Sequence, residues 1–135
     1  LEKNSTLLCG GKRQGNFFQP TVFSNVSSDC LIAKEEVFGP ITVLYRFSDK
    51  EEAITQANDV EFGLQAGIFT NDLELAFELA DSMDCGGVMI NDSSDYRIDA
   101  MPFGGVKGSG VGREGVMNAV KEMTNIKTYC FNLRK

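Results

Sequence analysis

The chain has 135 residues, 42% of them hydrophobic and 24% charged, which is enough for one globular domain with an apolar core. A formal net charge of -6, with the basic residues scattered, argues against nucleic acid or an anionic membrane as a main partner. No apolar run approaches the roughly 18 residues that span a bilayer. Cys9, Cys30, Cys85 and Cys130 are widely spaced, and there is no histidine. That pattern argues against a disulfide scaffold or a zinc site and fits the reduced thiols of a cytoplasmic protein. The chain opens on Leu1-Glu2-Lys3-Asn4-Ser5, without Met or a signal-peptide apolar core, so its start is expected upstream.

In chain order, Thr6 to Cys9 reads as a short strand closed by Gly10-Gly11. Pro20 to Val26 predicts a second strand, with proline at its first position. Ile41 to Phe47, rich in β-branched and aromatic residues, predicts a third. Ser48 with Glu51 predicts a capping box and a helix carrying Ala53, Ile54 and Ala57 on one face. Gln65 to Thr70 is the next strand. Asn71 and Glu74 repeat the capping pattern for a second helix, whose Leu73, Ala76, Phe77 and Ala80 should face a sheet. Gly86-Gly87 suits a left-handed helix stop, and Val88 to Asn91 follows as a strand. Residues 41 to 91 therefore read β-α-β-α-β, an α/β fold with parallel strands and right-handed crossovers. Ser93 to Gly112 is a Gly-rich loop of a length that is usually functional in compact domains. A final helix carries Val116, Ala119, Val120 and Met123. Thr124 to Asn132 predicts a terminal edge strand, which invites pairing with another chain.

Two segments carry chemistry. Lys34-Glu35-Glu36-Val37-Phe38-Gly39-Pro40 sets a carboxylate two residues from an aromatic, ahead of a proline that fixes the backbone. A carboxylate only accepts hydrogen bonds, so it can receive both hydroxyls of a ribose. In an extended chain Glu36 and Phe38 share a face. On composition alone, a solvated glutamate pair beside a core phenylalanine is the commoner arrangement. The second segment is Met101-Pro102-Phe103-Gly104-Gly105-Val106-Lys107-Gly108-Ser109-Gly110-Val111-Gly112-Arg113-Glu114-Gly115. Gly110, Gly112 and Gly115 have dinucleotide-fingerprint spacing, but no strand leads into them and no second βαβ unit with an acidic residue follows. These glycines read instead as points of close backbone approach. Arg97, just upstream, has two readings. Its guanidinium suits a substrate carboxylate or phosphate, whereas a salt bridge to Asp95, Asp99 or another acid is the commoner use of a loop arginine. Asp92 and Asp95 lack the spacing of a calcium loop, and no metal-ligating set is present.

Glu35 to Pro40 and Met101 to Gly115, in that order, resemble the carboxy-terminal part of an aldehyde dehydrogenase, and the resemblance runs from Phe17-Phe18-Gln19-Pro20-Thr21-Val22 to the last strand. It implies that residues 1–123 are part of the catalytic domain and residues 124–135 an oligomerisation strand. It implies NAD or NADP as cofactor, a small aldehyde as substrate, and a homo-oligomer. In the family, the second Glu of the first motif holds the nicotinamide-side ribose and the Phe lies against that end of the cofactor. Carried over, these are Glu36 and Phe38, with Glu35 structural. The glycine-rich loop lies on the substrate side, where Phe103 would line the aldehyde pocket and Asn91 would sit nearby in a structural role. Arg97 belongs to the same neighbourhood. The family oxidises an aldehyde to a carboxylic acid through a cysteine thiohemiacetal. None of the four cysteines has an activating setting or stands in the nucleophile motif, so this chain should supply no catalytic residue and be inactive alone. A stand-alone, catalytically inactive association module of the same fold is the competing reading. A reductase acting on an acyl phosphate is a third, disfavoured by the Glu35 to Pro40 motif.

Overall fold

The computed structural model describes Ser5 to Leu133; residues 1–4 and 134–135, the outer ends of the expected domain and strand, lie outside the described residues. The chain divides into two units, Leu1–Val60 and Glu61–Lys135.

The first unit contains β1 (Thr6–Cys9), a hairpin of β2 (Arg13–Gln14) and β3 (Phe17–Phe18), then β4 (Thr21–Ser24), the one-turn α1 (Leu31–Lys34), β5 (Ile41–Leu44) and α2 (Lys50–Asn58). The central strand is β4, antiparallel to β1 and parallel to β5, with Thr21 opposite Ile41 and Ser24 opposite Leu44. Gly10 and Gly11 turn the chain out of β1 with φ of 77° and 78°. A side chain at Gly10 would collide with the Pro20 carbonyl, so only glycine fits there. Thr21, 2% exposed, closes this corner: its hydroxyl donates to the Gln19 carbonyl (2.7 Å) and accepts from the Gly11 N–H (2.8 Å). The box at the start of α2 sits one residue later than the spacing of Ser48 and Glu51 suggests. Asp49 is the cap, accepting from the Glu52 N–H at 2.8 Å, and Glu52 reaches back to the Ser48 N–H and hydroxyl at 2.8 Å each.

The second unit contains β6 (Phe62–Gly63), β7 (Gln65–Ile68), α3 (Leu73–Ser82), β8 (Gly87–Ile90), β9 (Val106–Lys107) and α4 (Val116–Glu122). Strands β7 and β8 run parallel across α3, Gln65 opposite Gly87 and Ile68 opposite Ile90, which is the expected βαβ unit. β6 pairs antiparallel with β9. The fold is thus mixed α/β with parallel strand pairs, as expected. From residue 41 to 91 the expected strand, helix, strand, helix, strand is met by β5, α2, β7, α3 and β8, with the short β6 added; β5 takes its parallel partner from β4, and β7 takes its own from β8. Three local expectations change. Asp72, not Asn71, caps α3, accepting from the Leu75 N–H at 3.1 Å. Of the predicted buried face, Ala76 is buried while Leu73 and Phe77 are exposed. Gly86 and Gly87 are not left-handed; α3 ends on an extended Met83, and Gly86 is required by contact, because a methyl group there would overlap the Gly104 carbonyl.

The buried apolar side chains are Val26 and Cys30 in the first unit and Ile68, Ala76 and Met89 in the second. A fourth expectation changes as well: Thr124 to Asn132 forms no strand, because no described strand pairs with it, and Ile126, Tyr129, Phe131 and Leu133 in this stretch are exposed. No helix among the described residues is long and apolar enough to cross a membrane.

Candidate functional site

The bend that carries Glu36 and Phe38 belongs to the first unit. α1 stops after one turn, and Glu35 leaves it extended, at φ -105° and ψ 149°. Two tight turns follow: the Gly39 N–H donates to the Val37 carbonyl and the Ile41 N–H to the Gly39 carbonyl, each at 2.8 Å. The Pro40 carbonyl then accepts from the Thr21 N–H at 2.8 Å, which fastens the bend to the head of β4. Glu36 is exposed, and among the described residues no hydrogen bond or salt bridge engages its carboxylate. Phe38 is 94% exposed, so the reading of it as a core residue fails. It stands at an open groove with Phe17, Phe18, Val37 and Pro40. About 1.5–3 kcal/mol of burial is left unrealised by a large apolar side chain held in water.

Arg97 and Phe103 belong to the second unit, and they meet. The guanidinium carbon of Arg97 stands 4.0 Å above the centre of the Phe103 ring. Its Nη2 donates to Glu114 Oε2 at 2.7 Å. Phe103 and Glu114 also exchange both backbone hydrogen bonds, at 3.1 and 2.6 Å. Arg97 thus makes a salt bridge, and its partner is neither Asp95 nor Asp99 but another acid, Glu114. Asp95 receives the Ser93 hydroxyl instead. Glu114 is the residue sequence reasoning passed over. It sits 17 positions from Arg97, and its one visible signal was an acid closing the glycine-rich run.

The glycine-rich loop folds onto itself and onto β6. A methyl group at Gly104 would meet the Gly112 carbonyl, and one at Gly105 would meet Ser109. The Ser109 hydroxyl accepts from the Gly63 N–H at 2.9 Å, and Arg113 Nη1 donates to the Gly105 and Gly112 carbonyls at 2.8 and 2.9 Å. Gly104 and Gly105 therefore serve close packing, whereas a side chain at Gly110 or Gly112 would meet open space; Gly110 and Gly115 serve the turns of the backbone instead, at φ of 135° and 121°. Asn91, at φ 59°, clamps two strand ends: its amide accepts from the Thr70 N–H and donates to the Thr70 carbonyl, both at 2.9 Å. That is a structural role.

Of the four cysteines, Cys30 is buried, Cys85 is partly covered, and Cys9 and Cys130 are exposed. None of the four is in a disulfide. Burial, before any other cause, pushes the Cys85 thiol up, opposite to what an attacking thiolate needs. Among the described residues no group of three His, Cys, Asp or Glu could hold a metal ion.

The first unit thus carries an acid and a phenyl on a bend before proline, and the second a folded glycine loop whose Phe103 lies under Arg97. Residues 1–129 match the aldehyde dehydrogenase family, and the chain belongs to that family. It is 52% identical over 133 residues to aspartate-semialdehyde dehydrogenase 1 of Pseudomonas canavaninivorans, an alignment that covers 98% of this chain and 28% of the relative. The structure of glyceraldehyde-3-phosphate dehydrogenase GapN from Methanocaldococcus jannaschii, complexed with NADP, is similar at a TM-score of 0.84 and 49% identity, covering 91% of this chain and 26% of that one. The NAD+ complex of an aldehyde dehydrogenase from Bacillus cereus is similar at a TM-score of 0.88 and 39% identity, covering 96% and 27%. The chain thus spans little more than a quarter of the length of these proteins.

Proposed function

We propose that the chain is the carboxy-terminal part of an NAD(P)-dependent aldehyde dehydrogenase that oxidises an aldehyde to a carboxylic acid. Residues 1–123 belong to its catalytic domain, and residues 124–135 are the segment that pairs between subunits. The observation that carries this reading is the bend before β5. It holds an exposed carboxylate that no described protein group engages, and an exposed phenyl ring two residues on, on a backbone hydrogen-bonded into the sheet. The pair fits the nicotinamide-ribose end of the cofactor, with an acceptor-only carboxylate for two hydroxyls and an apolar face for a ring. When bound, the nicotinamide supplies the hydride acceptor. The NADP and NAD+ found in the two structural relatives support either coenzyme. Phe103, braced by Arg97, lines the aldehyde pocket.

The nucleophilic cysteine that forms the thiohemiacetal, and the base that serves it, lie in the rest of the protein. The 135-residue chain alone therefore oxidises no aldehyde. In the complete enzyme, Glu36→Gln keeps the shape and removes the charge. A hydrogen bond to a charged group is worth roughly 1.5–3 kcal/mol, so KM for the coenzyme should rise about ten- to hundredfold while KM for the aldehyde stays put. A coenzyme KM equal to that of the unaltered enzyme would sink the assignment.

A further inference from the structure

We infer that Glu114 is a specificity-determining residue: its carboxylate neutralises Arg97 and thereby sets how strongly the pocket prefers an aldehyde with an anionic tail over a neutral one. The inference rests on the proposal that Phe103 and Arg97 line the aldehyde pocket. Three contacts carry it. The guanidinium lies over the Phe103 ring at 4.0 Å, which keeps its charge beside the ring. Glu114 Oε2 holds that guanidinium at 2.7 Å and is the one acid paired with it among the described residues. The backbone of Glu114 separately holds the backbone of Phe103 through two hydrogen bonds.

The arrangement divides the work of Glu114 in two. Its main chain places the ring, and that placement survives a side-chain replacement that keeps the main-chain N–H. Its side chain sets the net charge beside the ring at zero, although an arginine is present. An anionic tail approaching Arg97 meets the Glu114 carboxylate next to it, and the repulsion cancels part of the attraction. Arg97 has five donors, and Glu114 takes one through Nη2, so geometry leaves room for a second anion while charge disfavours it. Both side chains are substantially exposed, 43% for Arg97 and 67% for Glu114, so water and salt screen the effect and keep it modest.

The test uses the complete enzyme with two aldehydes of equal chain length, 4-oxobutanoate and butanal, and reads the ratio of their kcat/KM values. A change in the chemical step common to both aldehydes cancels in that ratio. Glu114→Gln should raise the ratio roughly three- to fivefold, less at high salt. Glu114→Asp, which keeps the charge, should stay closer to the unaltered enzyme. Arg97→Met should lower the ratio, and adding Glu114→Gln to it should change nothing more. If Arg97→Met lowers the ratio and Glu114→Gln leaves it alone or lowers it, the inference is overturned and the pocket reading stands. If Arg97→Met leaves the ratio unchanged, Arg97 is no pocket residue and both readings fall.

Discussion

Thr21 illustrates how much one side chain can hold. Its hydroxyl serves two main-chain groups at once, at the corner where the chain leaves β1 and where β4 begins. Thr21→Val preserves the shape and leaves the Gly11 N–H and the Gln19 carbonyl without that partner, at a cost of about 1–3 kcal/mol. A denaturation midpoint equal to the wild type would contradict this. Gly86 is constrained by contact instead of by backbone angle. Gly86→Ala drives a methyl group into the Gly104 carbonyl, which is main chain and cannot swing aside. A destabilisation above roughly 3 kcal/mol is expected, large for a one-carbon change. Cys85 makes a prediction about pH. Burial raises its thiol above the ordinary value, so the folded chain holds the proton more tightly than the unfolded chain. Its contribution to stability is complete below the unfolded pKa and is lost as pH rises through the folded one. At pH 8, Cys85 should alkylate more slowly than free cysteine. A faster rate would contradict the burial argument and reopen the question of a reactive thiol here.

At the scale of elements, caps decide where helices begin. Asp49→Ala removes the bond to the Glu52 N–H and should cost about 1 kcal/mol. Glu52 titrates below the ordinary glutamate value, chiefly because it accepts from the Ser48 N–H. The sign follows directly: its contribution is full above the unfolded pKa and fades as pH falls through the lowered folded value, so the start of α2 should fray in acid. Hydrogen exchange at the first turn of α2 would detect this, and protection that does not change with acidification would refute it. These caps also show where sequence reading reaches its limit. Ser48-Asp49-Lys50-Glu51-Glu52 contains two overlapping boxes, and Asn71-Asp72 offers two caps; spacing locates the helix start and only geometry selects the residue. The same limit applies to strands. Their positions follow from β-branched runs, whereas the choice of β4 as partner for β5 depends on contacts far apart in the chain. The Glu36–Phe38 bend was legible because both residues and the proline lie within five positions. The Arg97–Glu114 pair was not, because nothing local links residues 17 apart.

At the scale of the molecule, few large apolar side chains are covered. Phe17, Phe69, Leu73, Phe77 and Met123 are all mostly exposed, as are Tyr129 and Phe131 in the terminal stretch. Apolar surface of this kind is normally an interface. The 135-residue chain expressed alone should bind a hydrophobic dye and self-associate. A clean monomer by light scattering at high concentration would count against that, and turnover of an aldehyde with NAD(P) would overturn the proposal that the chain is inactive alone. The bend at Pro40 behaves differently from this uncovered surface. Its carbonyl is locked to the Thr21 N–H at the head of β4. Under the proposed function, a sugar at Glu36 would meet a bend whose backbone is held by its own hydrogen bonds, so little of the binding energy would go into ordering it.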